Sequence, residues 1–113
     1  SMENPVENVY ALGDVTAIKL PNGLMLPKAG VFAHAQAKAV TERLVARIKG
    51  TTSRARFTGD GYCFLELGHG RAAFAKGDFY AEPNPVIRLR KPARFWHWGK
   101  IYFEKWWLRH WFC

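Results

Sequence analysis

Four stretches of the chain carry residue types that could do chemistry. Cys63 lies in the run Tyr62-Cys63-Phe64-Leu65, and a thiolate there would be both a nucleophile and a redox centre. Gly13-Asp14 ends the apolar run of residues 9–12. A glycine lets backbone approach a ligand closely, and a carboxylate beside it can accept a hydrogen bond from a sugar hydroxyl. Lys28-Ala29-Gly30 leads straight into a helical pattern. The N–H groups of a helix start favour negative charge; Ala29 and Gly30 are small enough for a flat ring to lie close, and Lys28 adds a full positive charge. The fourth is the tail from residue 94, which combines all five tryptophans of the chain with Lys100, Lys105 and Arg109.

Each stretch has a plainer reading beside the chemical one. A lone cysteine in a strand is most often a small buried hydrophobe. Gly-Asp is a common turn dipeptide, and a Pro/Gly-rich helix entry often carries an exposed lysine. An aromatic helix can pack in a core or in an oligomer interface as well as on a membrane. From residue types alone these alternatives stay open.

The elements that must position these residues follow from periodicity. Residues 9–12 read as a short buried strand, stopped by the Gly13-Asp14 turn. A loop marked by Pro21, Asn22-Gly23 and Pro27 comes next, and residues 31–48 then read as a helix. Val40, Leu44 and Ile48 repeat on one face of it, and Gly50 is placed to cap it. After a polar linker, residues 62–67 read as a strand, Gly68-His69-Gly70 as a hairpin turn and residues 71–74 as the returning strand. Lys76-Gly77-Asp78 reads as a second turn into a strand over residues 79–81. Residues 86–89 read as a further short strand or an extended link. In the tail, Phe95, Trp98, Tyr102 and Trp106 fall on one helical face, and Ile101, Leu108 and Phe112 on another. Lys105 and Arg109 lie between the two, and Gly99 is a point where the tail could divide into two helices.

The expected class is therefore α+β: a strand–loop–helix unit, a small antiparallel sheet and aromatic amphipathic C-terminal helices. Residues 1–50, 51–91 and 92–113 are the corresponding segments, with Ser1-Met2 reading as an expression remnant ahead of the natural start. The length of 113 residues suits one small domain rather than a complete two-domain enzyme. A hydrophobic share of 49% is that of a folded chain. Two cysteines, Cys63 and Cys113, are too few for a disulfide scaffold, and no Cys/His spacing suggests a metal site. No signal peptide opens the chain, and no run approaches the about 20 apolar residues of a transmembrane helix. The formal charge of +8 calls for an anionic partner. Nucleic acid is the weaker candidate, because the aromatic residues form a helical stripe rather than a stacking platform on a sheet.

Taken together, YALGDV and LPKAGVFAHAQAKAV resemble the second FAD-binding motif of the two-dinucleotide-domain flavoproteins. The segment GDGYCFLELGHGRAAFAKGDFYAEPNP and the tail PARFWHWGKIYFEKWWLRHWF resemble the C-terminal part of sulfide:quinone reductases, and the former also that of flavocytochrome c sulfide dehydrogenases. The resemblance implies that Gly13 and Asp14 hold the ribityl chain of FAD and that Lys28, Ala29 and Gly30 face its ring. It implies that Cys63 belongs to a redox-active pair whose partner lies in an upstream portion. There, sulfide would attack the disulfide, and the two electrons would pass through FAD to a quinone. Trp98, Tyr102, Lys105, Trp106 and Arg109 would associate with an anionic membrane surface, making the protein a peripheral protein of a bacterial inner membrane. His34 departs from the family pattern, in which a Glu is often found, and receives no role.

The same resemblance makes this chain the end of a longer protein. The GxGxxG loop that would hold the FAD pyrophosphate is absent. A missing N-terminal FAD/NAD-type domain is thus an expected partner, and the chain alone should be inactive and retain no FAD. Exposed apolar faces could also drive homo-oligomerisation. A type II NADH:quinone dehydrogenase shares the scaffold and remains the nearest alternative. A non-enzymatic basic module binding a membrane or nucleic acid is a more distant one.

Overall fold

The structure, a computed structural model, describes Val6 and residues 8–112. The class is α+β: two helices, α1 (Gly30–Ile48) and α2 (Arg94–Phe112), and an antiparallel sheet of three strands in the order β1 (Asp60–Glu66), β2 (Ala72–Asp78), β3 (Val86–Leu89). By its contacts the chain forms two compact units. Among the described residues, the first comprises Val6 and residues 8–61 and 78–86, the second residues 62–77 and 87–112.

In the first unit, α1 starts after the extended Ala29 and buries Phe32, Gln36, Ala39 and Val40, a stripe at i, i+4, i+7 and i+8. The expected stripe was different in its second half, since Leu44 is only half-buried and Ile48 faces solvent. Gly50 ends the helix as expected. It takes a left-handed φ of 65° and donates its N–H to the Arg47 carbonyl at 3.1 Å, while Thr51 N–H reaches back to Ala46 at 2.8 Å. That pair of bonds satisfies carbonyls the last turn would leave open.

Residues 18–26 are more ordered than a loop. Leu20 N–H donates to the Leu24 carbonyl at 2.7 Å and Leu26 N–H to that of Ile18 at 2.8 Å, around a turn in which Gly23 has φ 87°. This tight excursion inserts Leu20 and Leu26 into a core with Phe32 and Phe57. Phe32 is its centre, meeting Phe57 and Phe79 edge to face at 5.9 and 5.0 Å. Gly61 makes this possible, because a Cβ there would stand 2.2 Å from the Phe32 ring.

Two strand assignments from the sequence are corrected. Residues 9–12 are not a buried strand: Val9 is exposed, and only Tyr10 makes an isolated bridge. An apolar run of four residues is a strand only when neighbouring strands flank it. Residues 79–81 are likewise not a strand, because β2 continues through Lys76-Gly77-Asp78 and the turn falls at Phe79-Tyr80. The Asp78 carboxylate accepts the Tyr80 N–H at 2.8 Å and fixes that turn.

The second unit is an aromatic-faced sheet carrying α2. The Gly68-His69-Gly70 turn closes β1 onto β2 through Leu67 N–H to the Arg71 carbonyl at 3.0 Å. All three turn residues have positive φ. Ala72 and Ala93 exchange backbone hydrogen bonds at 3.2 and 2.9 Å, which sets the start of α2 against β2. Tyr62, Phe64 and Phe74 then meet Trp96 and Phe103 of the helix. Phe74 and Trp96 stack at 4.9 Å with 15° between planes, and Phe103 lies 6.1 Å from both Tyr62 and Phe64. The helix runs unbroken through Gly99, whose missing side chain faces the Phe64 ring. The tail is therefore one helix rather than two.

Candidate functional site

The 3-10 turn Gly13–Val15 and the entry to α1 are 12 or more residues apart in sequence and meet at one cleft of the first unit. Gly13, Asp14, Lys28 and Ala29 all line it, together with Thr16, Ile18, Leu26, Pro27, Phe32, Ala33 and Gln36. Four of the five residues singled out for cofactor binding are thus brought together. Gly30 opens α1 beside the cleft without lining it, and a Cβ on Gly30 would meet no atom within 4 Å. Packing within the unit gives no reason for a glycine there.

Three groups hold the cleft in shape. Gly13 takes φ 70°, and a Cβ on it would come 3.2 Å from that of Ala33, so the turn sits directly against α1. Its N–H donates to Gln36 Oε1 at 2.7 Å, and Gln36 is only 1% exposed. A buried amide that spans 23 positions in sequence fixes the turn to the helix. From the other side the Lys28 ammonium donates to the carbonyls of Asp14 and Thr16, tying the helix entry to the turn. Thr16 Oγ1 closes the turn itself by donating to the Gly13 carbonyl at 2.7 Å.

Gln36 is the residue that sequence reasoning missed. Its signal was present: one amide stands at the centre of an otherwise apolar face, and such a group is retained only where a backbone partner satisfies it. Thr16 was missed too, and a single Thr after Gly-Asp gives no comparable signal.

The mouth of the cleft carries one carboxylate and the start of a helix. The Asp14 carboxylate is exposed, and α1 begins with neither a side-chain cap nor an acidic residue in its first turn. Phe32 and Ala33 N–H donate to the Ala29 carbonyl at 3.0 and 3.2 Å, which leaves the N–H groups of Gly30 and Val31 without an intrahelical acceptor. The cleft volume is about 10 Å³, room for one water. A ligand ring would lie across its mouth rather than inside it.

Cys63 belongs to the second unit. It is a free, exposed thiol on β1, its Sγ 3.5 Å from the Phe64 carbonyl. Strand alternation turns it away from Tyr62 and Phe64, the residues that meet α2. It is therefore not a buried hydrophobe within its unit. Cys113 lies outside the described residues.

On α2 the helix has two aromatic faces. Trp96, Phe103 and Trp107 run down the side toward the sheet. Phe95, Trp98, Tyr102 and Trp106 form a separate exposed stripe, with Trp98 67% and Tyr102 74% exposed. Lys105 and Arg109 are exposed along the same side. Glu66 at the end of β1 accepts from His97 Nδ1 at 3.0 Å and pairs with Lys100 Nζ at 3.3 Å. The hydrogen bond from His97 chiefly holds the Glu66 carboxyl below its usual range; desolvation opposes it, and the Lys100 ammonium adds to the lowering. Among the described residues no helix is long and apolar enough to cross a membrane, and no cluster of His, Cys, Asp and Glu could hold a metal ion.

No protein-family model matches the chain, and neither a curated protein nor a solved structure matches it.

Proposed function

We propose that this chain is the C-terminal part of an FAD-dependent oxidoreductase that takes electrons from sulfide through a cysteine disulfide and delivers them to a membrane quinone. The observation that carries this reading is the meeting of Gly13, Asp14, Lys28 and Ala29 at one cleft. Residues singled out as two separate motifs form one rim, with an unpartnered carboxylate and an uncapped helix start facing outward.

The rim suits part of FAD and not the whole. Asp14 would accept hydrogen bonds from ribityl hydroxyls, and the open N–H groups of α1 would face an electron-rich ring edge. Lys28 would act chiefly by fixing the rim, since its ammonium is engaged by the Asp14 and Thr16 carbonyls. The sequence carries no Gly-rich dinucleotide loop, so on this reading the remaining contacts would come from an N-terminal domain of a longer protein. Bound FAD would supply a two-electron acceptor. The chain alone is then expected to be inactive.

Cys63 would act as one half of a disulfide with an upstream cysteine. Hydrosulfide attacks one sulfur of that bond, leaving a persulfide on one cysteine and a thiolate on the other. An exposed Cys63 is open to such an attack. The exposed Trp98, Tyr102 and Trp106, framed by Lys105 and Arg109, fit a peripheral position on an anionic bilayer of a bacterial inner membrane, next to the quinone.

The test of the FAD reading is the flavin content of the full-length protein with Asp14→Ala. The substitution should lower bound flavin without unfolding the protein. Flavin retained at the wild-type level and affinity would remove Asp14, and with it the proposed rim, from the cofactor site. A second reading, a membrane-binding module without redox chemistry, is favoured by the exposed stripe of α2. It predicts a full-length protein that binds liposomes and carries no flavin.

A further inference from the structure

A second cleft of the first unit lies farther along α1, at Ala39, Val40 and Arg43, and shares no residue with the rim around Asp14. Its volume is about 210 Å³, and it is lined by Tyr10, Ala39, Val40, Arg43, Ala55, Arg56, Phe57 and Tyr80. Among the described residues no Asp or Glu lines it, while two arginines, Arg43 and the exposed Arg56, do. Arg43 is fixed rather than free, because its Nε donates to the Ala55 carbonyl at 2.6 Å. That bond leaves the two terminal nitrogens of Arg43 for a ligand, and an end-on pair of N–H donors matches the two oxygens of a carboxylate.

The walls favour a flat body on that anion. Phe57 and Tyr80 meet edge to face at 5.4 Å, with Ala39 and Val40 of α1 forming an apolar floor. The Tyr80 phenol is protonated at neutral pH, as any tyrosine is, and burial pushes its ionisation further up. The volume lies below that of drug-sized pockets, typically about 300–1,000 Å³, which restricts the ligand to about one ring.

We propose that this cleft is a binding site for a small planar carboxylate, its anion held by Arg43 and Arg56 and its ring set between Tyr80 and the Val40 floor. The site is independent of the redox reading, because none of its residues belongs to the rim or to Cys63. Two features select the ligand. A neutral amide of the same shape lacks the charge that the paired guanidinium groups require, and inorganic phosphate lacks the flat apolar body.

The probe is benzoate, titrated into the 113-residue chain and followed by ¹⁵N–¹H correlation spectra, with benzamide and inorganic phosphate as comparisons. Saturable shifts are expected at the Arg43 Nε–H and at the amides of Ala55, Phe57 and Tyr80. Benzamide should produce none of them, and phosphate should bind more weakly. Arg43→Gln should weaken benzoate binding about ten- to a hundred-fold, the range for one charge-assisted contact pair. Arg56→Gln, at an exposed position, should lower it by a smaller factor with the fold intact, and it carries the test if Arg43→Gln does not fold. The proposal is overturned by any of three results: no saturable shift with benzoate, equal shifts with benzamide, or unchanged benzoate affinity in a folded arginine variant.

Discussion

The two units use aromatic residues in opposite ways. In the first, Phe32 and Phe57 are buried in a closed core with Leu20 and Leu26, and a single buried amide, Gln36, accepts a hydrogen bond from the Gly13 turn. In the second, the rings of Tyr62, Phe64, Phe74, Trp96 and Phe103 pack on one another, yet the buried side chains of that unit are only Ala72 and Ala73 among the described residues. The first unit closes a core around its rings, although Val15, Leu24 and Ile48 remain exposed. The second buries no ring fully and leaves Phe95, Trp98 and Tyr102 facing outward, an exposed aromatic surface of the kind that marks interaction sites. Rigidity and exposure are separated between a unit that shapes a rim and a unit that presents a face.

The sharpest way to break this contrast is in the tight core. Gly61→Ala forces a Cβ to within 2.2 Å of the Phe32 ring, and Phe32 cannot move without displacing Phe57 and Phe79. Urea denaturation should show a loss of about 3 kcal/mol, the upper part of the range for overpacking. The shift should appear first in amides of residues 18–48. A neutral outcome would mean that the core is as loose as the second unit.

Within α2 the same comparison predicts a split between tryptophans two positions apart. Trp96→Ala removes a ring stacked on Phe74 and should cost about 2 kcal/mol. Trp98→Ala should change stability by less than about 0.5 kcal/mol, because the ring is mostly in solvent. Equal losses for the two would show that the exposed stripe is covered in solution.

Gln36→Leu tests the link between core and rim. It leaves the buried Gly13 N–H without its acceptor and should cost about 1–2 kcal/mol. Hydrogen exchange at Gly13 should accelerate more than exchange elsewhere in the unit. Uniform acceleration would make Gln36 a packing residue only.

The smallest effect is the clamp at Glu66. Because its carboxyl titrates below the usual Glu range in the folded chain, its contribution is present at neutral pH and is lost as pH falls through that lowered value. Glu66→Gln should abolish this acid-side change in the His97 ring signals while barely moving the melting temperature at pH 7. A large neutral-pH loss would show that the clamp, not the ring stack, holds α2.

Much of this was legible in the chain. The α+β class, α1 with its Gly50 end, the Gly68-His69-Gly70 turn and the grouping of Phe95, Trp98, Tyr102 and Trp106 on one face of α2 all follow from local periodicity and turn chemistry. What was not legible depended on partners distant in sequence. Residues 9–12 had the apolar run of a strand without the neighbours to make one. Residues 79–81 had strand composition, but Asp78 captures the Tyr80 N–H and turns the chain first. The register of Gln36 on Gly13 and the close approach of Gly61 to Phe32 are tertiary facts, and no local window contains both members of either pair. At the rim, Gly13, Asp14, Lys28 and Ala29 were singled out from the sequence, whereas Gln36 and Thr16, which help to hold the turn, were not.

The most direct measurement is anaerobic titration of the full-length protein with sulfide and, separately, with NADH, following the visible flavin absorbance in wild type and Cys63→Ser. The account predicts bleaching by sulfide that disappears in Cys63→Ser. Bleaching by NADH alone, unchanged by the substitution, would contradict it and place the protein with the NADH:quinone dehydrogenases.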